Sequence, residues 1–426
     1  DYQLDIITQA ISFGRGIIKL GTGGGKTLTI ASLLSSIFIS KKSKLKCLLV
    51  VPDLTLVDQT YNDFLQYSVL FKATRWTGSI DPDLTSNVII ANMGVLQSRF
   101  DENEWIKDVD VLVVDECSML NDDICVRLRQ LGRIKIVLMG DNCQLPSVKS
   151  ARSPIFDIIG DNFVMLTEQW RQKNADNPIH ILLNSMRDLI DTSKAKKVNF
   201  ADFAGQIKDD EKGLNVGVVT TNSFKQWEKW LVKAFSETRG FNTLATANSN
   251  KRVDEINAIV HNYLYPDSDV FCEGETLIFQ APKKKGMQII ANNGDVITVK
   301  TAVRTREFVK IGTHKVMIDA MLINNKHLTP CNRNQFNSWL DMLKNDLFNP
   351  RVTAGYSWSE LYLLRDRFSD LRHSYCSTVY KAQGSTVDNI FIDMIDIYKM
   401  PESIDIINRC IYTAISRAKY NAIILA

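Results

Sequence analysis

Several things are scarce in this chain, and each scarcity removes a class of protein. Its eight cysteines (Cys47, Cys117, Cys125, Cys143, Cys272, Cys331, Cys376 and Cys410) include no C-x-x-C pair and lie in apolar runs such as KCLLVV and RCIYTAIS. They read as reduced core thiols of a cytosolic protein, not as a disulfide framework or a zinc site. The five histidines show no metal-ligand spacing and no additional carboxylate cluster accompanies them, which argues against a nuclease. No apolar run reaches membrane-spanning length and no signal-peptide pattern opens the sequence. The expectation is a cytoplasmic protein without a membrane partner. An excess of one charge is also missing, since 51 basic and 48 acidic side chains leave a formal +3. Any surface for nucleic acid must therefore be a local stripe.

What is present is a regular alternation. Apolar runs at 16–20 (GIIKL), 47–52 (CLLVVP), 87–92 (NVIIAN), 109–116 (VDVLVVDE) and 134–141 (IKIVLMGD) are separated by helical patterns such as TLTIASLLSSIFIS. Continuous apolar strands between helices predict a parallel sheet covered on both faces, with ligands at the carboxyl ends of its strands. A second alternating block follows, with strands at 216–222, 242–248, 388–395 and 421–426. Inside it, residues 265–335 carry short strands, turn signals such as Asn293-Gly294 and no clear intervening helix, which predicts a small β-barrel-like, SH3-like insertion. The expected division is 1–165, a first α/β domain; 166–264, the first part of a second; 265–335, the insertion; and 336–426, a helical lead-in and the rest of the second domain.

LGTGGGKT (20–27) follows a strand and precedes a helix, the setting a phosphate loop requires. Thr22 and the glycines Gly23, Gly24 and Gly25 let backbone N–H groups close on phosphate oxygens, and the following helix N-terminus adds its dipole. Lys26 is placed to reach the β- and γ-phosphates of ATP, and Thr27 to hold Mg²⁺. VLVVDECS (111–118) then delivers two adjacent carboxylates from a strand end. Asp115 suits the Mg²⁺ and Glu116 the deprotonation of an attacking water. A third strand end, VLMGDNCQLPSV (137–148), offers Gln144 to the γ-phosphate and water, with Asp141 linking to neighbouring groups.

At this point the chain resembles superfamily 1 helicases of the 5′→3′ branch, the Dda-like and RecD-like enzymes. MGDNCQLPSV is similar to their third motif and LTEQWRQ (166–172) to their arginine motif. STVYKAQGSTVDNIFID (377–393) and RCIYTAISRAK (409–419) are similar to their fifth and sixth motifs. The resemblance implies two RecA-like domains, with Arg171 and Arg417 as fingers on the γ-phosphate and Gly384 beside the nucleotide. It also implies a monomer acting on single-stranded DNA and duplex junctions, alongside a single-strand-binding protein, in phage DNA replication or repair. The front end, from DYQLDIITQAI to VIIANMGVLQS, looks more like superfamily 2 enzymes of the DEAH-like and UvsW-like type. There Leu20 in place of Gly is normal, Gln3 would contact adenine, and VVPDLTLVDQ would touch DNA. An RNA helicase of the same superfamily is the alternative, because such motifs grip phosphate and do not read the sugar.

A motor of this kind holds phosphates and stacks bases. The expected contacts are Pro52, Asp53 and Gln59, then Asn92 and Met93, and in the second domain Thr378, Tyr380 and Lys381. His373 is placed near that track, as a contact or as a packing residue. Trp76 reads equally as a strand-separating element and as a core side chain. KKSKLK (41–46) and KKK (283–285) read as solvated faces, the second, in the β-rich insert, alternatively as a contact to the phosphate backbone.

Overall fold

The computed structural model describes the chain outside residues 1–6, 12–14, 21–24, 53, 78–79, 95–107, 132–133, 148–154, 159–162, 167–175, 192–195, 210–212, 238–241, 269, 286–287, 292 and 350–354. It divides into two compact units, Asp1–Val253 with Ser377–Ala426, and Asp254–Cys376.

The first unit contains two α/β cores. In the first core β1 (Arg15–Leu20), α1 (Lys26–Ser40), β2 (Cys47–Val51), α2 (Leu54–Gln66), β3 (Ala73–Trp76), β4 (Val88–Asn92), β5 (Val111–Val114), α3 (Asp122–Gln130), β6 (Lys135–Gly140), α4 (Ile155–Ile158) and β7 (Phe163–Leu166) follow in order. The strands form one sheet in the order β3-β4-β2-β5-β6-β1-β7, parallel at every junction. Strand β2 shows why. All five of its residues are buried, with Cys47, Leu49 and Val51 in one apolar cluster and Leu48 and Val50 in the other. A strand with both faces covered has no polar side to offer water, and helices on each face make parallel pairing the available solution.

The second core holds α5 (Pro178–Asp191), β8 (Gly205–Asp209), β9 (Leu214–Thr221), α6 (Phe224–Glu237), β10 (Thr243–Ala247) and the start of α7 (Asn250–Leu264). The chain returns to it through β19 (Cys376–Thr378), β20 (Val387–Asp393), α10 (Met394–Ile397), α11 (Ile404–Ile415) and β21 (Ala418–Leu425). The strand order is β19-β10-β20-β21-β9-β8. Strands β10, β20, β21 and β9 are parallel neighbours, and β8 is an antiparallel edge. Cys143 and Leu145, from the loop after β6, lie in the apolar cluster built mainly by α5, α11 and this second sheet. The first core thus plugs a loop into the second. The two-core α/β class expected from the alternating strands is the fold observed.

The second unit carries β11 (Thr276–Phe279), β12 (Lys283–Lys285), β13 (Gln288–Ala291), β14 (Val296–Thr298), β15 (Ala302–Ile311), β16 (His314–Ile323), β17 (His327–Pro330), α8 (Arg333–Phe348), α9 (Trp358–Arg367) and β18 (Leu371–His373). Its sheets are antiparallel: β14-β11-β18, the β12–β13 pair, and the meander β15-β16-β17. The Asn293-Gly294 turn is present, with Gly294 at φ +91°, a conformation that suits glycine. Helix α9 opens on a reciprocal cap between Ser357 and Glu360. Lys283 departs from the solvated face expected of KKK. It is 8% exposed, and its ammonium donates to the carbonyls of Asp366 (2.6 Å) and Arg367 (2.8 Å) at the end of α9. Those carbonyls have no partner within the helix, so a cation there satisfies them and meets the negative end of the dipole.

Candidate functional site

The site grows from three strand ends of the first core. After β1, Gly25 stands in the left-handed region at φ 70° and opens α1 with no side-chain cap. The first-turn N–H groups of α1 therefore take no side-chain oxygen of that residue, which leaves donors for an anion. Lys26, the first residue of α1, reaches across to the end of β5. It makes a close ion pair with Glu116 and lies 3.8 Å from Asp115 Oδ1. Burial would lower the Lys26 pKa, but the carboxylates of Glu116 and Asp115 raise it above its usual value. Burial pushes the Asp115 carboxyl up. The two carboxylates are not equivalent. Glu116 adopts the left-handed conformation (φ 49°, ψ 46°), and its N–H donates to Asp115 Oδ1 at 2.8 Å. A non-glycine residue held there is strained, and such strain collects at functional sites.

Strand β6 ends on Gly140, where even a methyl group would lie 2.8 Å from Cys117 Sγ and 3.1 Å from Cys117 N. Only glycine lets β6 pass so close to the turn that carries the acidic pair. Beyond it Asp141, 1% exposed, receives Arg187 of α5 in an ion contact of 2.7 Å and the Tyr412 hydroxyl of α11 at 2.7 Å. Burial would lower the Arg187 pKa, yet Asp141 and Tyr412 raise it, so the guanidinium stays charged.

The same loop receives the second core at several further points. Leu145 N–H donates to Thr413 Oγ1 at 3.0 Å, Gln383 Nε2 to the Leu145 carbonyl at 3.3 Å, and Arg409 to the Asn142 carbonyl. Arg417, 1% exposed, donates to Gln144 Oε1 at 3.4 Å and to Ser416 Oγ at 2.9 Å. Burial lowers the Arg417 pKa, with Glu116, Tyr412 and Asp141 opposing. Lys26, Asp115, Glu116, Gln144 and Arg417 are thus gathered where the two cores meet.

Gly384, at φ +87°, sits in the loop after β19, where an added methyl would lie 3.5 Å from Leu56 Cδ1 of α2. Thr378, Tyr380 and the exposed Lys381 occupy or follow β19. Pro52 follows β2, Gln59 is exposed on α2, and Asn92 ends β4. Pro52 and Asn92 thus lie at the carboxyl ends of β2 and β4, Gln59 within α2, and Thr378, Tyr380 and Lys381 at and after the end of β19, with Gly384 close to Leu56 of α2. Thr27 is half-buried in the first turn of α1. Gln3, Thr22, Gly23, Gly24, Asp53 and Arg171 lie outside the described residues.

Trp76 is 5% exposed and packs with Leu48, Val50 and Ile89. Of its two readings, the core side chain is the one observed. Sequence reasoning missed Arg187, Tyr412 and Arg409. Arg187 belongs to an amphipathic helix with no motif around it, and the only signal was Asp141, a carboxylate at a strand end in need of a partner. Replacing Arg187 by Met should leave that buried carboxylate without its ion-pair partner and destabilise the fold by about 3–5 kcal/mol in urea unfolding. Tyr412→Phe, which removes one hydrogen bond to a charged acceptor, should cost about 1.5–3 kcal/mol. Equal losses from the two variants would show that charge is not what holds Asp141.

Fold and site together define a protein of two RecA-like α/β cores with charged side chains converging between them. Residues 1–136 match the family model of the type III restriction enzyme res subunit, and residues 373–425 that of the UvrD-like helicase C-terminal domain. The chain is similar to the ATP-dependent DNA helicase Dda of Enterobacteria phage T4, 24% identical over 205 residues, 42% of this chain and 46% of that one. The match therefore takes in less than half of that relative. Among solved structures, one of two coordinating Pif1 helicases is 15% identical, with a TM-score of 0.47, over 100% of this chain and 92% of that one. The UvsW helicase of bacteriophage T4 is 20% identical over 39% of this chain and 59% of that one, with a TM-score of 0.32. The chain is thus similar in sequence to a UvrD-like helicase C-terminal domain and to the DNA helicase Dda. That agrees with the motifs.

Proposed function

We infer that this chain is an ATP-hydrolysing motor that moves 5′→3′ along single-stranded DNA and opens duplexes at junctions. The observation that carries the reading is Arg417. A buried arginine of the second core reaches Gln144 of the first, and its charge is felt at Glu116 and Lys26. Charge from a second domain stabilises phosphoryl transfer only when the cleft between domains is closed, which couples turnover to motion.

In this reading the phosphates of ATP lie on the loop of Thr22, Gly23, Gly24 and Gly25 and on the N-terminus of α1, with Lys26 on the β- and γ-phosphates. Gln3 holds adenine and Gly384 borders the nucleotide. Arg171 joins Arg417 as a second finger. The hydroxyl of Thr27 and the carboxylate of Asp115 are hard oxygen donors that suit Mg²⁺, and the raised pKa of Asp115 marks a buried carboxyl that a cation would stabilise in its charged form. Held there, such an ion would supply positive charge to offset that on the transferring phosphoryl group. Glu116 takes the proton of the attacking water, and Gln144 orients that water.

Pro52, Gln59, Asn92, Thr378, Tyr380 and Lys381 form the track for the strand, three on each core. Likeness to an ATP-dependent DNA helicase supports DNA over RNA; a single-strand-binding protein as companion and the monomer as working unit complete the proposal. Direction rests on the superfamily 1 character of residues 373–419 and on the β-rich segment before them. Streptavidin should be displaced faster, with ATP, from the 3′ end of a biotinylated oligonucleotide than from its 5′ end. The reverse order would overturn the direction, and stimulation of hydrolysis by RNA but not DNA would overturn the substrate.

A further inference from the structure

A second cluster of chemistry-bearing side chains lies in the unit Asp254–Cys376; of its members only His373 was expected near the strand, and the proposed track does not include it. His261 of α7, Glu275 just before β11 and His373 at the end of β18 bring one ligand atom each within 4.8 Å of one another. His261 and Glu275 are buried at 3% and 2% exposure. Glu275 Oε1 lies 2.7 Å from His261 Nδ1, 3.2 Å from His373 Nδ1 and 2.7 Å from the Tyr375 hydroxyl. Its other oxygen accepts the Cys272 N–H at 2.7 Å. Burial pushes the Glu275 carboxyl up, but the His261 and His373 imidazoles and the Tyr375 hydroxyl outweigh it and hold its pKa at about 2.

The geometry is the informative feature. Two imidazole nitrogens from separate elements, His261 Nδ1 and the buried His373 Nδ1, converge on one oxygen of a buried carboxylate. On its far side the His261 ring is held by the Ser268 carbonyl, 3.1 Å from Nε2.

We propose that His261, Glu275 and His373 bind a Zn²⁺-class transition-metal ion that ties α7, β11 and β18 together. Two imidazole nitrogens and one carboxylate oxygen are a common ligand set for such an ion, with water or the Tyr375 oxygen as a fourth donor. The surroundings also match what metal-binding histidines and carboxylates keep about them. The far nitrogen of His261 donates to a main-chain carbonyl, and the spare oxygen of Glu275 takes a main-chain N–H. Sequence spacing concealed the set, because its members are spread from 261 to 373.

The test uses the full chain, stripped with chelator and titrated with Zn²⁺ alone, then with Co²⁺ as a spectroscopic probe. Uptake of one equivalent is expected, with a rise in melting temperature on metal addition. The Co²⁺ spectrum should carry no thiolate charge-transfer band, since the ligands are nitrogen and oxygen. His373→Ala leaves the His261–Glu275 contact in place and should weaken Zn²⁺ binding by about 100-fold or more. Its nucleotide binding, a property of the other unit, should be unchanged and reports that the variant is folded. Substoichiometric uptake with no thermal shift would overturn the proposal, as would a thiolate band, which would place the ion on cysteine. Detection of hydrogens on both ring nitrogens of His261 at neutral pH in Zn²⁺-treated protein would overturn it too.

Discussion

Lys26→Ala is expected to lower ATP turnover by at least about 10²–10³-fold, to the edge of detection, in a protein that still folds. Lys26 is the first residue of α1 and belongs to neither apolar cluster of this core, so truncating it leaves the packing intact, while loss of the counter-charge to Glu116 and Asp115 lowers stability. What is lost is a charge already aimed at the carboxyl ends of β1 and β5, where phosphates would lie. Its present partners explain how that charge is held. Glu116 and Asp115 keep the ammonium protonated despite burial, and on binding ATP the γ-phosphate would compete with Glu116 for it. Hydrolysis is read in steady state, and circular dichroism with thermal melting reports the fold. Wild-type turnover in a folded Lys26→Ala protein would remove the phosphate-loop assignment and the motor with it.

Glu116→Gln should separate binding from chemistry. Asp115, Thr27 and Lys26 remain, so nucleotide with Mg²⁺ should still bind, while hydrolysis falls by about 100-fold or more for want of a base. The backbone supports this division of labour. Asp115 accepts the Glu116 N–H and continues from β5, whereas Glu116 is turned out of the strand direction by its left-handed conformation. Glutamine keeps the size and the hydrogen-bonding oxygen, so a fluorescent ATP analogue should titrate much as in the parent. A variant that no longer binds it would mean that Glu116 serves structure and that the base lies elsewhere.

How much of this was legible beforehand depends on how far apart the interacting residues lie in the chain. Strands β2, β4, β5 and β6 announce themselves, because a strand buried on both faces must be written as an unbroken apolar run. Strands β3 (ATRW) and β8 (GQIKD) do not. Both lie at sheet edges, and their half-exposed positions admit polar residues that dilute the pattern. Strand β7 (FVML) is apolar but only four residues long, too short to stand out from a helix end. The same rule sorts the site. Lys26, Asp115, Glu116, Gln144 and Arg417 each sit in a compact local motif. Asp141, Arg187 and Tyr412 meet only after three distant segments pack, and so do His261, Glu275 and His373. Lys283 misled for a related reason, since a triplet of lysines gives no sign that one of them folds inward onto a helix end.

Asn257 has a consequence for how this chain tolerates change. Its side chain brackets the main chain of Cys376, accepting from the N–H at 2.8 Å and donating to the carbonyl at 3.4 Å. The first turns of the segment Asp254–Cys376 are thereby stitched to its last residue. A stretch of chain whose two ends are fastened to each other is a cassette: it interrupts the host sequence without holding the flanking strands apart. Lengthening, exchanging or deleting such a cassette changes what the chain displays at that point while the junction stays the same size. Length and surface can therefore be varied between Asn257 and Cys376 while these two ends stay fastened to each other.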